Sequence, residues 1–204
     1  MKKAIFLDKD GTLVEDVPYS CDVNRIRLMS GVLQGLRRLD AAGYLLIVVS
    51  NQSGVAHGLF SVEALRGVEM KLRALLADED IRLDGFYFCP HHPDGRISAY
   101  ATACDCRKPS PGLLKQATSD WAIDLTASWM VGDILHDVEA GRRAGCQTIL
   151  LDNGHETEWH LGAYRCPHYV AADLDIAADI ILEADRAALP DIAGSCMQGA
   201  RYAC

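Results

Sequence analysis

The chain has 204 residues, 50% of them hydrophobic and 24% charged, with a formal net charge of −8; this is the make-up of a globular domain with a full core. That balance, with no lysine or arginine block, argues against nucleic acid and acidic membrane surfaces as partners. Apolar runs such as Tyr44 to Val49 fall far short of the roughly 20 residues that cross a bilayer.

Near the start, Lys2 and Lys3 precede an apolar run that Asp8 interrupts, too early for a secretory signal, so a cytoplasmic protein, acting as a monomer, is expected. Eight cysteines are many for a reducing compartment, where clustered thiols read as metal ligands rather than disulfides.

Ala4 to Asp8 (AIFLD) is an apolar run ending in a carboxylate, the pattern of a buried strand. Val32 to Asp40 places apolar residues at 32, 33, 36 and 39, which is helical spacing, and Gly43 follows as a cap. Tyr44 to Ser50 (YLLIVVS), followed by Asn51, completes a βαβ unit. Continuing the alternation, helices are predicted near Val62 to Leu76, Pro111 to Trp121 and Asp137 to Ala144. Strands are predicted near Phe86 to Phe88, Ser128 to Val131 and Thr148 to Leu151. The result is an α/β fold: one domain over residues 1–185 with a doubly wound, mainly parallel, Rossmann-like sheet. From about Asp185, with residues 186–204 beyond it, small residues suggest a loosely held tail. Two stretches, Lys9 to Ser30 and Pro90 to Lys108, are long enough to be functional loops. In such a sheet ligands bind beyond the carboxyl ends of the strands.

Asp8 and Asp10 are two apart at a strand end, so both lean to one side and Lys9 leans away. Gly11 and Thr12 permit a sharp turn whose N–H groups face an anion. Two carboxylates beside an anion call for a cation between them, and Mg²⁺ suits oxygen ligands of this kind. Asp133, at another strand end, adds an oxygen, and Asp137 one turn later is a ligand or supporting partner. Ser50, Asn51 and Lys108 supply hydrogen bonds and charge for a phosphoryl group. A D-x-D pair alone is common in solvated turns; the order DKDGTL, VVSNQSG, RKP and VGDILHD is not.

Cys89-Pro-His91-His92 and Cys104-Asp-Cys106 give C-x-H, twelve residues, then C-x-C. Three thiolates and one imidazole form a closed tetrahedral set typical of structural Zn²⁺. The spacing favours His91 and leaves His92 open. Cys166-Pro-His168 repeats the local spacing and reads as coincidence.

The four motifs, over about the first 150 residues, resemble the haloacid dehalogenase (HAD) superfamily of phosphatases. The resemblance implies that Asp8 is a nucleophile and Asp10 a general acid and base. Asp8, the main-chain carbonyl of Asp10 and Asp133 would hold Mg²⁺, with Ser50 and Lys108 on the phosphoryl oxygens. CPHHPDG and CDCRKPSPG resemble the zinc-loop branch (loop 89–108), whose members hydrolyse histidinol phosphate or a heptose 1,7-bisphosphate. NQSGVAHGLF, LDGFYFCPHHPDG and SWMVGD are more similar to the heptose enzymes, implying release of the 7-phosphate from a small phosphorylated sugar, without a large cap domain. Substrate contacts are then expected at Asp16, Tyr19, Ser50, Asn51, Gln52, Ser53, Arg107 and Lys108. Two positions depart from the family pattern: His57 stands where an arginine is usual, and Ile134 where a lysine is common. A zinc-stabilised binder of a phosphorylated ligand is the non-enzymatic alternative, against which Asp8, Asp10, Lys108 and Asp133 argue together. His136, His155 and His160 read as ordinary surface or packed residues without a role.

Overall fold

The computed structural model describes residues 1–188. In β1 (Ala4–Leu7) every residue is buried, because helices cover both faces of the strand and leave no side for water. Side chains therefore alternate between two cores: Ile5 and Leu7 enter one, Ala4 and Phe6 the other. The same alternation runs through β2 (Leu45–Asn51), where Leu46 and Val48 join the first core while Leu45, Ile47 and Val49 join the second. The remaining strands are β3 (Gly85–Cys89), β4 (Trp129–Gly132), β5 (Gln147–Leu151) and β6 (Tyr169–Ala171). All six pair in parallel in the order β3-β2-β1-β4-β5-β6, so the expected doubly wound sheet is found.

The helices are α1 (Val32–Ala41), α2 (Val62–Ala77), α3 (Gly112–Trp121), α4 (Leu135–Ala144) and α5 (Leu174–Ala188). Leu36 and Leu39 of α1, Leu72 and Leu76 of α2, and Ala177, Ala178 and Ile181 of α5 fill the first core. Leu113, Leu114 and Ala117 of α3 and Ala140 of α4 fill the second. Neither β6 nor α5 is anticipated in the sequence reading, although Leu174, Ala177, Ala178 and Ile181 have helical spacing. Helix α5 runs through Ala188, past the expected start of the tail at Asp185; the rest of that tail, residues 189–204, lies outside the described residues. Among the described residues no helix is long and apolar enough to cross a membrane.

Strands β1 and β4 are neighbours where the strand order reverses, and Asp8 N–H donates to Val131 O at 3.0 Å. Their ends therefore deliver Asp8 and Asp133 to one place. The loop leaving β1 folds back on itself: Gly11 N–H donates to Val14 O at 2.8 Å and Met29 N–H to Leu13 O at 3.0 Å. With Leu13 and Val14 buried as its anchor, this loop carries residues 16–20 over the strand ends, and no separate cap domain is present among the described residues.

Candidate active site

Asp8, the first residue beyond β1, is 8% exposed, and Asp133, beyond β4, is 4% exposed. Asp137, in the first turn of α4, is fully buried. One oxygen from each of the three carboxylates lies within 4.8 Å of the others. Into this group comes Lys108: its Nζ donates to Asp8 Oδ1 at 2.5 Å and to Val49 O at 2.8 Å. It also lies 2.6 Å from Asp137 Oδ1, a charge contact and not an aligned hydrogen bond, because that oxygen has no hydrogen-bond partner. Burial alone would lower the Lys108 pKa, but Asp137 and Asp8 outweigh it and hold the ammonium above its ordinary value. Burial raises Asp133 to about 7, helped by the charge of Asp8. Asp137 is likewise raised to about 7 by burial, against the pull of Lys108.

Three buried carboxylates facing one ammonium leave an excess of negative charge that costs free energy until a cation shares it. The excess of buried carboxylate over ammonium and the oxygen-only donor set fit a hard divalent ion. The site thus accepts the Mg²⁺ expected from the sequence. The carboxylate of Asp10, by contrast, lies outside the cluster, which corrects the expectation of a cation between the Asp8 and Asp10 carboxylates; the family resemblance assigns the ion only the main-chain carbonyl of Asp10.

Asp10 is held by two partners. Lys9 Nζ contacts Asp10 Oδ1, and Gln52 Nε2 donates to Asp10 Oδ2 at 3.0 Å. Lys9 is 4% exposed, so the expectation that it leans away is corrected: the chain turns immediately after β1 and ends the extended geometry on which that expectation rested. Burial raises the Asp10 pKa, Lys9 opposes it, and the charge of Asp8 adds to the rise. Gln52 Nε2 also donates to Ser50 Oγ at 2.9 Å, so Gln52 orients both groups.

Asn51 is occupied differently from the expected substrate contact. Its Nδ2 donates to Lys108 O at 3.0 Å, and its Oδ1 accepts from Lys108 N at 2.9 Å. The amide imitates a peptide of a neighbouring strand and fastens Lys108 to the end of β2.

A cleft of about 430 Å³ opens over these groups. Its walls include Asp8, Asp10, Asp16, Tyr19, Ser50, Asn51, Gln52, Ser53, Lys108 and Asp133, so the structure brings together nearly all of the expected substrate contacts. Arg107 is not among the lining residues; its Nη1 donates to His91 O at 3.4 Å. The peptide direction that sends Lys108 inward sends Arg107 toward the cysteine loop. Ile134 does line the cleft, as does His155, and the reading of His155 as an ordinary surface residue is corrected. Its Nδ1 lies 2.7 Å from Asp133 Oδ2. No spacing motif marks His155, because it reaches the site from the loop after β5, whose course the sequence does not reveal.

Beside the cleft, Cys89, His91, Cys104 and Cys106 gather their donor atoms within 4.8 Å of one another. The sulfur–sulfur separations are 3.5, 3.2 and 3.2 Å, and His91 Nδ1 lies 3.7 and 3.4 Å from Cys89 and Cys106. A tetrahedral site with metal–sulfur and metal–nitrogen bonds of about 2.3 and 2.0 Å has edges of about 3.8 and 3.5 Å, close to this set. The choice left open between the adjacent histidines is resolved: His91 faces the thiols, while the ring of His92 packs 4.8 Å from that of His57.

A HAD-hydrolase-like family model matches residues 105–177. The D-glycero-beta-D-manno-heptose-1,7-bisphosphate 7-phosphatase of Yersinia pestis is 43% identical over 148 residues, 72% of this chain and 79% of that protein. The chain belongs to the HAD-like phosphatases. The Salmonella typhi protein of the same name is 40% identical over 179 residues, covering 88% of this HAD-like phosphatase and 89% of that relative. Among solved structures, D,D-heptose 1,7-bisphosphate phosphatase from B. bronchiseptica, complexed with magnesium and phosphate, gives a TM-score of 0.77 at 31% identity, covering 90% of this chain and 99% of that one. A HAD-like phosphatase from Mesorhizobium loti gives 0.76 at 33% identity, covering 88% and 87%. This member is accordingly a phosphoric monoester hydrolase.

Proposed function

We propose that this phosphatase removes the 7-phosphate of D-glycero-D-manno-heptose 1,7-bisphosphate in the cytoplasm. The observation that carries the chemistry is the convergence of Asp8, Lys108, Asp133 and Asp137 below a cleft that also holds Asp10; the relatives carry the substrate. Asp8 attacks phosphorus, the bond from phosphorus to the sugar oxygen breaks, and Asp10 gives that oxygen its proton. Asp10 then takes a proton from the water that splits the aspartyl phosphate, releasing inorganic phosphate and the free Asp8 carboxylate. The raised pKa of Asp10, caused mainly by its burial, favours its protonated form more than an exposed carboxylate would and so suits the donor role. Lys108, held at Asp8 Oδ1, is placed to neutralise the phosphoryl oxygens, and Ser50 offers its hydroxyl there. Asp8, the Asp10 carbonyl and Asp133 would hold Mg²⁺, which would supply charge neutralisation for the phosphoryl oxygens.

We further propose Zn²⁺ at Cys89, His91, Cys104 and Cys106. With all four positions taken by protein the ion is structural, and Cys106 is two residues from Lys108.

Steady-state hydrolysis of both anomers of the heptose bisphosphate, fructose 1,6-bisphosphate and histidinol phosphate tests the assignment. A kcat/KM for one heptose anomer at least about 100-fold above the other esters is expected; fast hydrolysis of histidinol phosphate alone would overturn the substrate.

A further inference from the structure

Asp133 is gripped from two sides. Thr12 Oγ1 donates to Oδ1 at 3.2 Å, and His155 Nδ1 lies 2.7 Å from Oδ2. His155 lies in the first residues beyond β5, and this stretch is itself fastened to the site on either side of it. Asn153 Nδ2 donates to Gly11 O at 2.6 Å, and Glu156 Oε2 accepts from Leu135 N at 2.6 Å, capping the start of α4, the helix that carries Asp137. Gly11, at φ +77°, shows how closely the pieces meet, since a methyl group there would overlap Asp133 Oδ2 and His155 Nδ1. The imidazole, about a third exposed, also lines the cleft. Lys108 and His155 are the two basic side chains among the described residues that line it.

From these contacts we infer that His155 is a positioning residue for Mg²⁺: it acts through Asp133, fixing the rotation of that carboxylate so that its oxygens face Asp8 and not solvent. The inference rests on the metal site proposed above, though not on the identity of the sugar. A carboxylate held by a donor on each oxygen loses little further freedom when an ion arrives, and partners of this kind typically change metal affinity by about 10- to 100-fold. A hydrogen bond from the neutral ring is sufficient; no change of protonation is required. The other charged groups at this carboxylate are Asp8, Asp137 and Lys108.

Calorimetric titration of the full chain with MgCl2, in the absence of substrate, tests this. The Mg²⁺ Kd is expected to rise about 10-fold in H155A and in H155L, which keeps the bulk without the donor. It should return to within about threefold of wild type in H155N, whose amide nitrogen stands where Nδ1 does. The Mg²⁺ concentration for half-maximal hydrolysis should move in step with Kd. An unchanged Kd in H155A and H155L with a lowered melting temperature overturns the inference and leaves the loop merely structural; so does a Kd in H155N as weak as in H155A. If wild type binds Mg²⁺ yet leaves the heptose bisphosphate intact, the substrate assignment fails, while the comparison of Kd values still decides the role of His155.

Discussion

Asp8 has three neighbours with opposing demands: Lys108 at 2.5 Å holds its carboxylate, while Asp133 and Asp137 repel it. Asp8→Asn preserves shape and removes the nucleophile, so the variant is expected to melt within a few degrees of wild type and to release phosphate at least about 1,000-fold more slowly, read by single-turnover phosphate assay. Hydrolysis within about tenfold of wild type would remove Asp8 from the mechanism. The crowding also has a pH signature. Asp133 and Asp137 sit near 7 in the folded chain without a cation, against about 4 when unfolded. Between those limits the folded form holds more protons, so metal-free stability falls as pH rises through the window. Mg²⁺ displaces those protons, and the rise in melting temperature on adding MgCl2 should be larger near pH 8 than near pH 5. An equal rise at both would show that the carboxylates ionise normally. At this scale the motif residues Asp8, Asp10 and Asp133 were legible because they follow strand ends, and Lys108 because it stands in the R-K-P motif beside the second cysteine pair. His155 and the inward turn of Lys9 were not, because each depends on where a loop goes after it leaves the sheet.

Loop 89–108 links a strand end to the catalytic lysine. Cys89 closes β3, Gln52 N–H donates to Cys89 O at 2.8 Å, and Arg96 N–H donates to Ala56 O at 2.7 Å. Its first residue and its middle are therefore tied to the chain following β2, and the cysteine cluster ties the loop to itself. Removing the proposed Zn²⁺ with a thiol-selective chelator, or Cys104→Ser, is expected to lower activity about 10-fold or more while Mg²⁺ binding survives, since in the proposed mechanism Lys108 meets the substrate phosphate and the proposed Mg²⁺ ligands lie on other elements. Full activity with the metal verified as absent would make the cluster irrelevant to the lysine. The C-x-H and C-x-C pairs made this loop visible in sequence, as did its length. The destination of Arg107 was hidden because neighbouring residues point in opposite directions, and only the path of the loop decides which of two basic groups turns inward.

Across the molecule, both cores depend on elements distant in sequence. Helix α5 closes the first core against α1, where Gly35 leaves room for the Leu174 carbonyl and no side chain would fit. Ile181 of α5 is fully buried, so Ile181→Ala should cost about 2–5 kcal/mol in urea unfolding. The same variant should retain its Mg²⁺ affinity, since α5 contributes no site group. A loss below about 1 kcal/mol would mean that α5 is dispensable. This helix was missed although its apolar positions are periodic, because Ala177 and Ala178 are small and the surrounding composition suggested a tail. The amide clamp of Asn51 on Lys108 has a reach of another kind. An ammonium at the end of an irregular excursion inherits the rigidity of the sheet through two hydrogen bonds, so exposed residues of that excursion such as Ser98 and Ala99 can change without displacing it. Variation in reach over the sugar can then accumulate in that stretch while the reacting centre stays in register.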